Sequence, residues 1–330
     1  MHLEDLLKHA IARGASDIHL CEGRPPRIRV VGRLCPLDPP TPAMYGILCA
    51  FTPYMSPSLQ ARWAEGLEID FSLAVAEIGR FRANVFLTRE GPAAVLRHIR
   101  DSIATLTEIK APQVMPDLLR QVGLLLVTGP TGSGKSTTLA ALVQHLNQNT
   151  QQHIITLEDP IECLHTSWQC QVTQREVGLH SQSFAHALRA ALRQDPDVIL
   201  VGELRDLETI RLALTAAETG HLVLASLHTR SAATSIERIV DVFDSAEKSL
   251  VRAQLSDALI GVVSQRLYPL PQQNRQQAVF EVMVATPAIR HLIRDGKTSQ
   301  ILNAIQTGAA HGMQTMSQAL TTMQKTWPTV

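Results

Sequence analysis

The sequence predicts an α/β protein in which a small N-terminal α+β domain is followed by a larger, doubly wound α/β domain. Residues 1–100 contain stretches where apolar and polar side chains alternate, which is typical of half-buried strands. From about Gln113, short apolar runs alternate with helical patterns, as buried parallel strands and their crossover helices do. A chain of 330 residues can bury two cores. We expect domains at 1–100 and 113–330, joined by a linker at 101–112.

The first domain is predicted to open with an amphipathic helix, because apolar residues recur at helical spacing and stop at a glycine suited to a left-handed cap. These residues are Leu3, Leu6, Leu7, Ala10, Ile11 and Gly14. Alternation predicts strands around 28–30 and 81–85, and a further strand at 94–99 after a turn at Gly91 and Pro92. The proline-rich stretch 36–57 is predicted to be loop with at most one helix.

The second domain is predicted to contain buried strands at 124–127, 154–157, 198–201 and 222–225. Two amphipathic helices lie between them. Their apolar positions are Leu139, Leu142, Val143 and Leu146 in one, and Phe184, Leu188, Ala191 and Leu192 in the other. The tail beyond about Pro269 is predicted to be helical.

The composition argues against several classes of partner and site. The 30 basic and 30 acidic residues cancel, so no global field draws the chain to nucleic acid or to an anionic membrane. We find no signal-peptide pattern at the N-terminus, and no apolar run approaches the ~20 residues of a spanning helix. We expect a cytoplasmic protein with no nucleic-acid partner. The five cysteines form no CxxC pair, so we expect reduced thiols and no zinc module.

A phosphate-binding loop is predicted where the strand at 124–127 runs into a helix. The residues at this junction fit the pattern GxxxxGK[ST] in its required strand, loop and helix setting. They are Gly129, Pro130, Thr131, Gly132, Ser133, Gly134, Lys135, Ser136 and Thr137. The glycines let backbone N–H groups turn toward a phosphate, and the helix N-terminus adds its positive end. We expect Lys135 to reach the β- and γ-phosphates of ATP and the Ser136 hydroxyl to bind Mg²⁺.

A carboxylate that holds the attacking water or the metal shell is expected at the carboxyl end of a neighbouring strand. The strand at 198–201 is followed by Gly202 and Glu203, with glycine where an aspartate usually stands. Glu203 alone could act as a base or as a water-mediated metal contact. A solvated acid at the start of a loop is an equally good interpretation of its position.

A second acidic cluster follows the strand at 154–157. Pro160 forces the chain out of regular structure there and could aim the flanking Glu158 and Glu162 at a shared site. Exposed acids at strand ends are common, so a solvated pair is the alternative interpretation.

Two histidines bracket the strand at 222–225. A lone histidine in such a place is more often a satisfied polar residue than a phosphate sensor. His228, on the carboxyl side of the strand, is the better candidate for a sensor than His221.

Several arginines lie on the strands of the first domain. Arg80 and Arg82 share one strand face, and Arg89 and Arg97 lie on the following hairpin. Such clusters are usually solvated or paired. They would matter if the domain lay over a nucleotide, because a fixed guanidinium facing the γ-phosphate can raise the rate on the order of 10³ to 10⁵.

Taken together, these motifs resemble the type II/IV secretion ATPase superfamily, and within it the PilT-type pilus retraction ATPases. The resemblance covers nearly the whole chain. The matching stretches are 15–20 (ASDIHL), the loop at 129–137, an acidic box at 158–162, an atypical Walker B at 195–206, and a histidine box at 212–221 with 227–229.

The resemblance implies a PAS-like N-terminal domain and a RecA-like ATPase domain that clamp ATP within a hexameric ring. The residues to which it assigns catalytic roles are Arg82, Arg97, Glu158, Glu162, Glu203 and His228. The two arginines would reach the phosphates, Glu203 would be the catalytic or metal-shell glutamate, and His228 would sense the γ-phosphate. Within the acidic box the two glutamates remain rivals.

The resemblance also implies an activity and partners. Residues 288–295 (AIRHLIRD) are similar to the retraction-type signature AIRNLIRE but depart from it at His291 and Asp295. Its apolar spacing would form a packing helix whatever its role. The implied function is a motor that acts on an inner-membrane platform protein to draw pilin back into the membrane. The alternatives are a pilus extension or type II secretion ATPase, and a non-hydrolysing, nucleotide-dependent assembly or regulatory protein. A small-molecule kinase is disfavoured, because we find no acceptor pocket or lid.

Overall fold

The computed structural model describes residues 2–37, 43–99, 102–270 and 275–325. The chain divides into two compact units, Met1–Ser102 and Ile103–Val330. Residues from 103 to 112, which we expected in the linker, belong to the second unit, where Leu106 and Ile109 pack against its core. These apolar side chains anchor the segment, so the unit boundary falls near the start of the expected linker.

The first unit is an antiparallel sheet packed against helices. Its helices are α1 (Leu3–Ala12), α2 (Ile47–Phe51) and α3 (Pro57–Ala64), and its strands are β1 (Asp17–Cys21), β2 (Arg27–Val30), β3 (Arg33–Pro36), β4 (Ile69–Val75), β5 (Gly79–Thr88) and β6 (Gly91–Ile99). The strand order is β3-β2-β1-β6-β5-β4. One face of this sheet is buried beneath the helices, since Phe81 and Leu96 on the sheet share a core with Leu6 of α1 and Phe51 of α2.

The predicted opening helix is confirmed, and Gly14 follows it with φ of 73°. The predicted hairpin is shifted. Gly91 already begins β6, so the turn lies at Arg89 and Glu90 rather than at Gly91 and Pro92. The stretch 36–57 holds α2 and a 3₁₀ turn, with residues 38–42 outside the described residues. Strands β1, β3 and β4 were not predicted.

The second unit is a mainly parallel sheet with helices on both faces. Its strands are β7 (Gly123–Thr128), β8 (His153–Glu158), β9 (Gln171–Glu176), β10 (Val198–Val201), β11 (Leu222–Leu227), β12 (Leu259–Leu270) and β13 (Arg275–Val284). Its helices are α4 (Met115–Leu118), α5 (Lys135–Asn149), α6 (Phe184–Ala191), α7 (Leu207–Glu218), α8 (Ala232–Asp241), α9 (Lys248–Ala258), α10 (Pro287–Arg294), α11 (Ile301–Thr307) and α12 (Met316–Lys325). The strand order is β13-β12-β7-β11-β10-β8-β9.

Parallel pairing brings the functional strand ends to one edge. Strand β10 pairs in parallel with both β8 and β11, and β11 pairs in parallel with β7. Every residue of β7, β10 and β11 is buried, as expected for strands covered by helices on both faces. The loops that leave the carboxyl ends of β7, β8, β10 and β11 therefore lie side by side.

The four predicted strands of the second unit and its two predicted helices are confirmed. The prediction of a helical tail beyond Pro269 is wrong for β13, which pairs with β12 along its whole length in antiparallel register. Its first half is polar, with Gln276 and Gln277, and Glu281 interrupts the apolar residues of its second half, so no continuous apolar run marks it as a buried strand. Helices α10 to α12 follow it. Across the described residues, every helix is too short or too polar to span a bilayer.

Candidate active site

The loop between β7 and α5 has a conformation that only glycine permits at its two ends. Gly129 has φ of 152° and Gly134 has φ of 87°. A Cβ atom on Gly129 would lie 2.4 Å from the Gln265 carbonyl oxygen, and one on Gly134 would lie 2.8 Å from Gln265 Nε2. Because neither position has room for a side chain, the loop can close tightly over the first turn of α5. Such a loop at a helix N-terminus is built to receive an anion.

Lys135 begins α5 and turns its ammonium group back into the loop. The side chain is buried, and Nζ donates hydrogen bonds to the carbonyl oxygens of Gly129 at 2.9 Å and Pro130 at 3.2 Å. Burial lowers the pKa of Lys135, while the charges of Glu203 and Glu162 act to raise it. Two of the predicted carboxylates therefore act electrostatically on the loop lysine.

His228, just beyond β11, faces both the loop and the end of β10. Its Nδ1 lies 3.5 Å from Lys135 Nζ and 3.4 Å from Thr131 Oγ1. An ammonium group can only donate, so Nδ1 acts as the acceptor and the proton of the neutral ring is on Nε2. That Nε2 lies 3.2 Å from Glu203 Oε1. The imidazole thus connects the loop lysine to the glutamate that follows β10.

Glu203 is held from its other side by an arginine. Its Oε2 accepts a hydrogen bond from Arg205 Nε at 2.7 Å, and Arg205 also pairs with Asp159 at 3.3 Å. The bond to Glu203 is the largest influence that raises the pKa of Arg205. The Glu203 side chain is 21% exposed. A carboxylate fixed by two partners, yet open to solvent, can orient a water molecule.

Gly202 occupies the position where an aspartate usually stands. Its N–H donates to the Leu157 carbonyl oxygen at 2.8 Å. A Cβ atom there would lie 3.1 Å from the same oxygen and 3.5 Å from Glu158 Cα. Close approach of the end of β8 favours glycine, so Glu203 is the acid that β10 presents.

The two rival glutamates of the acidic box have different surroundings. Glu158 Oε1 accepts from Thr156 Oγ1 at 2.6 Å and from Gln174 Nε2 at 3.1 Å. Burial raises the pKa of Glu158 despite these bonds. Glu162 is exposed, and its charge acts on Lys135. Glu158 is therefore held by hydrogen bonds, whereas Glu162 is exposed to solvent.

The remaining predicted residues fall in three places. Ser136 is exposed in the first turn of α5, where a hydroxyl oxygen suits Mg²⁺. His221 lies at the opposite end of β11 from His228, with Nδ1 2.9 Å from the Ala216 carbonyl oxygen. Arg82 and Arg97 lie directly opposite each other on β5 and β6 of the first unit.

Each of these two arginines pairs with an acid of its own unit. Arg82 Nε lies 3.5 Å from Asp70 Oδ1. Arg97 Nε donates to Asp17 Oδ1 at 2.9 Å, yet 70% of the Arg97 side chain is exposed. Both guanidinium groups retain exposed surface.

Comparison with known proteins places this site in a family. The family described as "Type II/IV secretion system protein" matches residues 1–291. The chain belongs to that family. It is 48% identical over 322 residues to the uncharacterized protein YggR of Escherichia coli, covering 97% of each chain. It is 49% identical over 323 residues to the type IV pilus retraction ATPase PilT of Pseudomonas aeruginosa, covering 97% of this chain and 93% of the relative.

A solved structure of this family has the same fold. The crystal structure of the pilus retraction motor PilT with bound ADP superposes with a TM-score of 0.91 at 44% identity. The match covers 98% of this chain and 93% of that one. The predicted fold class, an N-terminal α+β domain followed by a RecA-like α/β domain, is confirmed.

Two residues of this family member's site were not predicted. Arg205 lies two positions beyond Glu203, and an arginine at the start of a loop carries no signal of its own. Gln265 lies at the end of an apolar run in β12 and is 2% exposed. A buried amide after six buried strand residues was a signal that could have been noticed, because such a group needs partners.

Proposed function

We propose that this chain is an ATP-hydrolysing motor that drives retraction of type IV pili. The observation that carries the proposal is a pair of contacts beside the glycine loop, in which His228 joins Lys135 to Glu203. The chain that contains these contacts is similar to a pilus retraction ATPase over nearly its whole length. A loop that holds phosphate and a carboxylate that orients water are the two parts that hydrolysis of ATP requires.

The loop and the first turn of α5 bind the phosphates of ATP. Backbone N–H groups and the Lys135 ammonium supply positive charge to the β- and γ-phosphates. The Ser136 hydroxyl would hold Mg²⁺, which neutralises charge on the phosphate oxygens when it is bound. Residues 129–137 therefore form the binding part of the site.

Glu203 accepts the proton of the attacking water, held in place by His228 and Arg205. His228 is well placed to respond to the γ-phosphate because its Nδ1 faces Lys135 and Thr131. Of the acidic box, Glu162 is the acid that acts at the nucleotide, since Glu158 is engaged by Thr156 and Gln174.

Arg82 and Arg97 supply further positive charge to the phosphates. Their exposed guanidinium groups can exchange a carboxylate partner for a phosphate oxygen. A homo-hexamer provides repeated sites of this kind, each one able to couple hydrolysis to movement of the first domain. We place the ring at the cytoplasmic face of the inner membrane, where it moves a platform protein and, through it, pilin.

The first test is steady-state ATPase activity of the purified chain, with its mass measured in the presence of ATP. A Lys135→Ala variant should lose turnover while remaining folded. Lys248→Ala is the matched control, because this lysine also begins a helix, α9, but pairs with Asp241 and lies outside the site motifs, so turnover should be unchanged. A stable monomer that binds ATP without turnover would contradict the motor and favour a nucleotide-dependent assembly protein.

Whether the motor retracts or extends pili needs a test in cells. Expression in a piliated strain that lacks its own retraction ATPase should restore twitching motility, and the Lys135→Ala variant should not. Restored pilus assembly in a strain that lacks its extension ATPase would favour the extension alternative instead.

A further inference from the structure

Gln265 lies beneath the phosphate-binding loop and contacts it through both ends of its side-chain amide. It stands on β12 and is 2% exposed. Its Nε2 donates to the Ser133 carbonyl oxygen at 2.6 Å, and its Oε1 accepts from Thr138 Oγ1 at 2.7 Å. One amide group therefore joins the loop to the first turn of α5, and its two sides are distinguished chemically because one donates and the other accepts.

The bond to Ser133 fixes the direction of a backbone donor. The peptide that joins Ser133 to Gly134 is trans, so its C=O and N–H groups point in opposite directions. Holding the Ser133 carbonyl against Gln265 therefore turns the Gly134 N–H away from β12. In a loop of this kind the backbone N–H groups on that side are the phosphate ligands.

The backbone of β12 also presses against the loop where the chain leaves β7. A Cβ on Gly129 would lie 2.4 Å from the Gln265 carbonyl oxygen, and one on Gly134 would lie 2.8 Å from Gln265 Nε2. Ser133 Oγ would also lie 2.5 Å from a Cβ on Gly129, and both glycines have positive φ. Gln265 is therefore one of the groups that leave no room for side chains at the two ends of the loop.

We propose that Gln265 is a positioning residue for the nucleotide phosphates. Together with Thr138, it sets the peptide between Ser133 and Gly134 so that the Gly134 N–H donates to a phosphate oxygen. This inference rests on the nucleotide site of the proposed function and adds a residue that lies outside all of the site motifs. Loss of the amide should weaken nucleotide binding without removing any group that touches the nucleotide.

The test measures binding of ADP with Mg²⁺ by calorimetry to the wild-type chain and a Gln265→Met variant. Methionine keeps the length of the side chain but cannot donate to Ser133. The matched control is Ser264→Ala, which removes a buried hydrogen bond of 2.8 Å between Ser264 and Thr128 on the same two strands. Among the described residues, the side chains of that pair bond each other and not residues 129–134, so Ser264→Ala reports the cost of loosening β12 from β7.

We expect the Kd for ADP to rise about tenfold or more in Gln265→Met. The displaced Gly134 N–H would lose its hydrogen bond to a charged phosphate, and a bond of that kind contributes about this much. Ser264→Ala should bind ADP within about twofold of wild type, because sites that share no partners are coupled by no more than this. The KM for ATP should rise in Gln265→Met more than kcat falls. Unfolding midpoints without nucleotide report stability separately.

Equal ADP affinity in Gln265→Met and Ser264→Ala would overturn the inference and leave the proposed function intact. If Gln265→Met does not fold, Thr138→Val decides, since it removes one arm of the bridge and keeps the branched shape. Weaker ADP binding by Thr138→Val supports the inference, and unchanged binding overturns it. A wild-type chain that does not bind ADP would instead overturn the proposed function itself.

Discussion

Glu203 and His228 follow two adjacent parallel strands, and their side chains meet with Oε1 and Nε2 3.2 Å apart. The strands pair in register up to Val201 and Ala225, so the two residues emerge at the same edge of the sheet. His228 reaches the Lys135 ammonium with its other nitrogen. This single imidazole therefore connects the loop lysine to the glutamate.

Replacing Glu203 with glutamine should abolish turnover and spare nucleotide binding. Glutamine keeps the size of the side chain and can still contact His228, but it cannot accept the proton of water. We expect steady-state ATP hydrolysis to fall by about 10² or more, the usual contribution of a general base. ADP binding should stay close to wild type. Glu208→Gln is the control, because Glu208 is an exposed acid paired with Arg189 on helices α7 and α6. A Glu203→Gln variant that keeps its turnover would rule this glutamate out as the base.

The acidic box should respond unequally to the same substitution. Glu162→Gln removes an open carboxylate that we propose acts at the nucleotide, so turnover should fall by about 10²-fold, as for loss of a group that acts in the reaction. Glu158→Gln alters a buried acid whose pKa is raised by burial and which Thr156 and Gln174 already engage, so turnover should change less. Steady-state ATPase assays of the two variants at one pH make the comparison. Greater loss in Glu158→Gln would reverse the assignment.

The sequence predicts those buried strands that consist of a run of apolar residues. Strands β7 and β10 are continuous apolar runs, and both were predicted at their places. Strand β9, with residues QVTQRE, lies at the edge of the sheet and is mostly half-buried, so it has no apolar run to recognise. Its pairing with β8 supplies the hydrogen bonds that make it a strand.

The same division applies to the site. Lys135 belongs to a local motif, and Glu203 and His228 each follow a recognisable buried strand, so all three could be proposed from spacing. The bridging role of Gln265 depends on contacts to residues 127 and 132 positions earlier in the chain. Local spacing carries no information about such contacts, because strand order in the sheet creates them.

His165 should make the second unit less stable in mild acid. Burial lowers the pKa of its ring from 6.5 to about 4. Below pH 6.5 His165 is protonated in the unfolded chain but stays neutral in the folded chain until the pH approaches 4. The free energy of unfolding therefore decreases as the pH falls from 6.5 toward 4. The loss amounts to about 3 kcal/mol at most. Urea unfolding at several pH values should show this slope.

A His165→Gln variant should reduce that slope. Glutamine can still donate to Gln144 Oε1, which lies 3.3 Å from His165 Nδ1, but it does not titrate. His186→Gln is the control, because His186 is exposed at the start of α6. Identical slopes in wild type and His165→Gln would show that another group governs the acid response.

Asn147 should hold the loop that carries Trp168. The amide is fully buried, with Nδ2 donating to the Thr166 carbonyl oxygen at 2.8 Å and Oδ1 accepting from the Trp168 N–H at 3.0 Å. Asn147→Ala leaves both backbone groups without these partners, which should cost about 2 to 4 kcal/mol. We expect this loss of stability to be local, so that residues 166–169 open more often while the rest of the unit stays folded.

Hydrogen exchange of the amides in that loop measures the opening directly. We expect faster exchange at Trp168 and Gln169 in Asn147→Ala, and a smaller change in the strands of the sheet. Asn149→Ala is the control, since Asn149 is exposed on the same helix and its amide donates only to the His145 carbonyl oxygen among the bonds described. If all amides of the second unit accelerated together, Asn147 would support the whole unit rather than this loop, because its buried bonds would then be broken only in global unfolding.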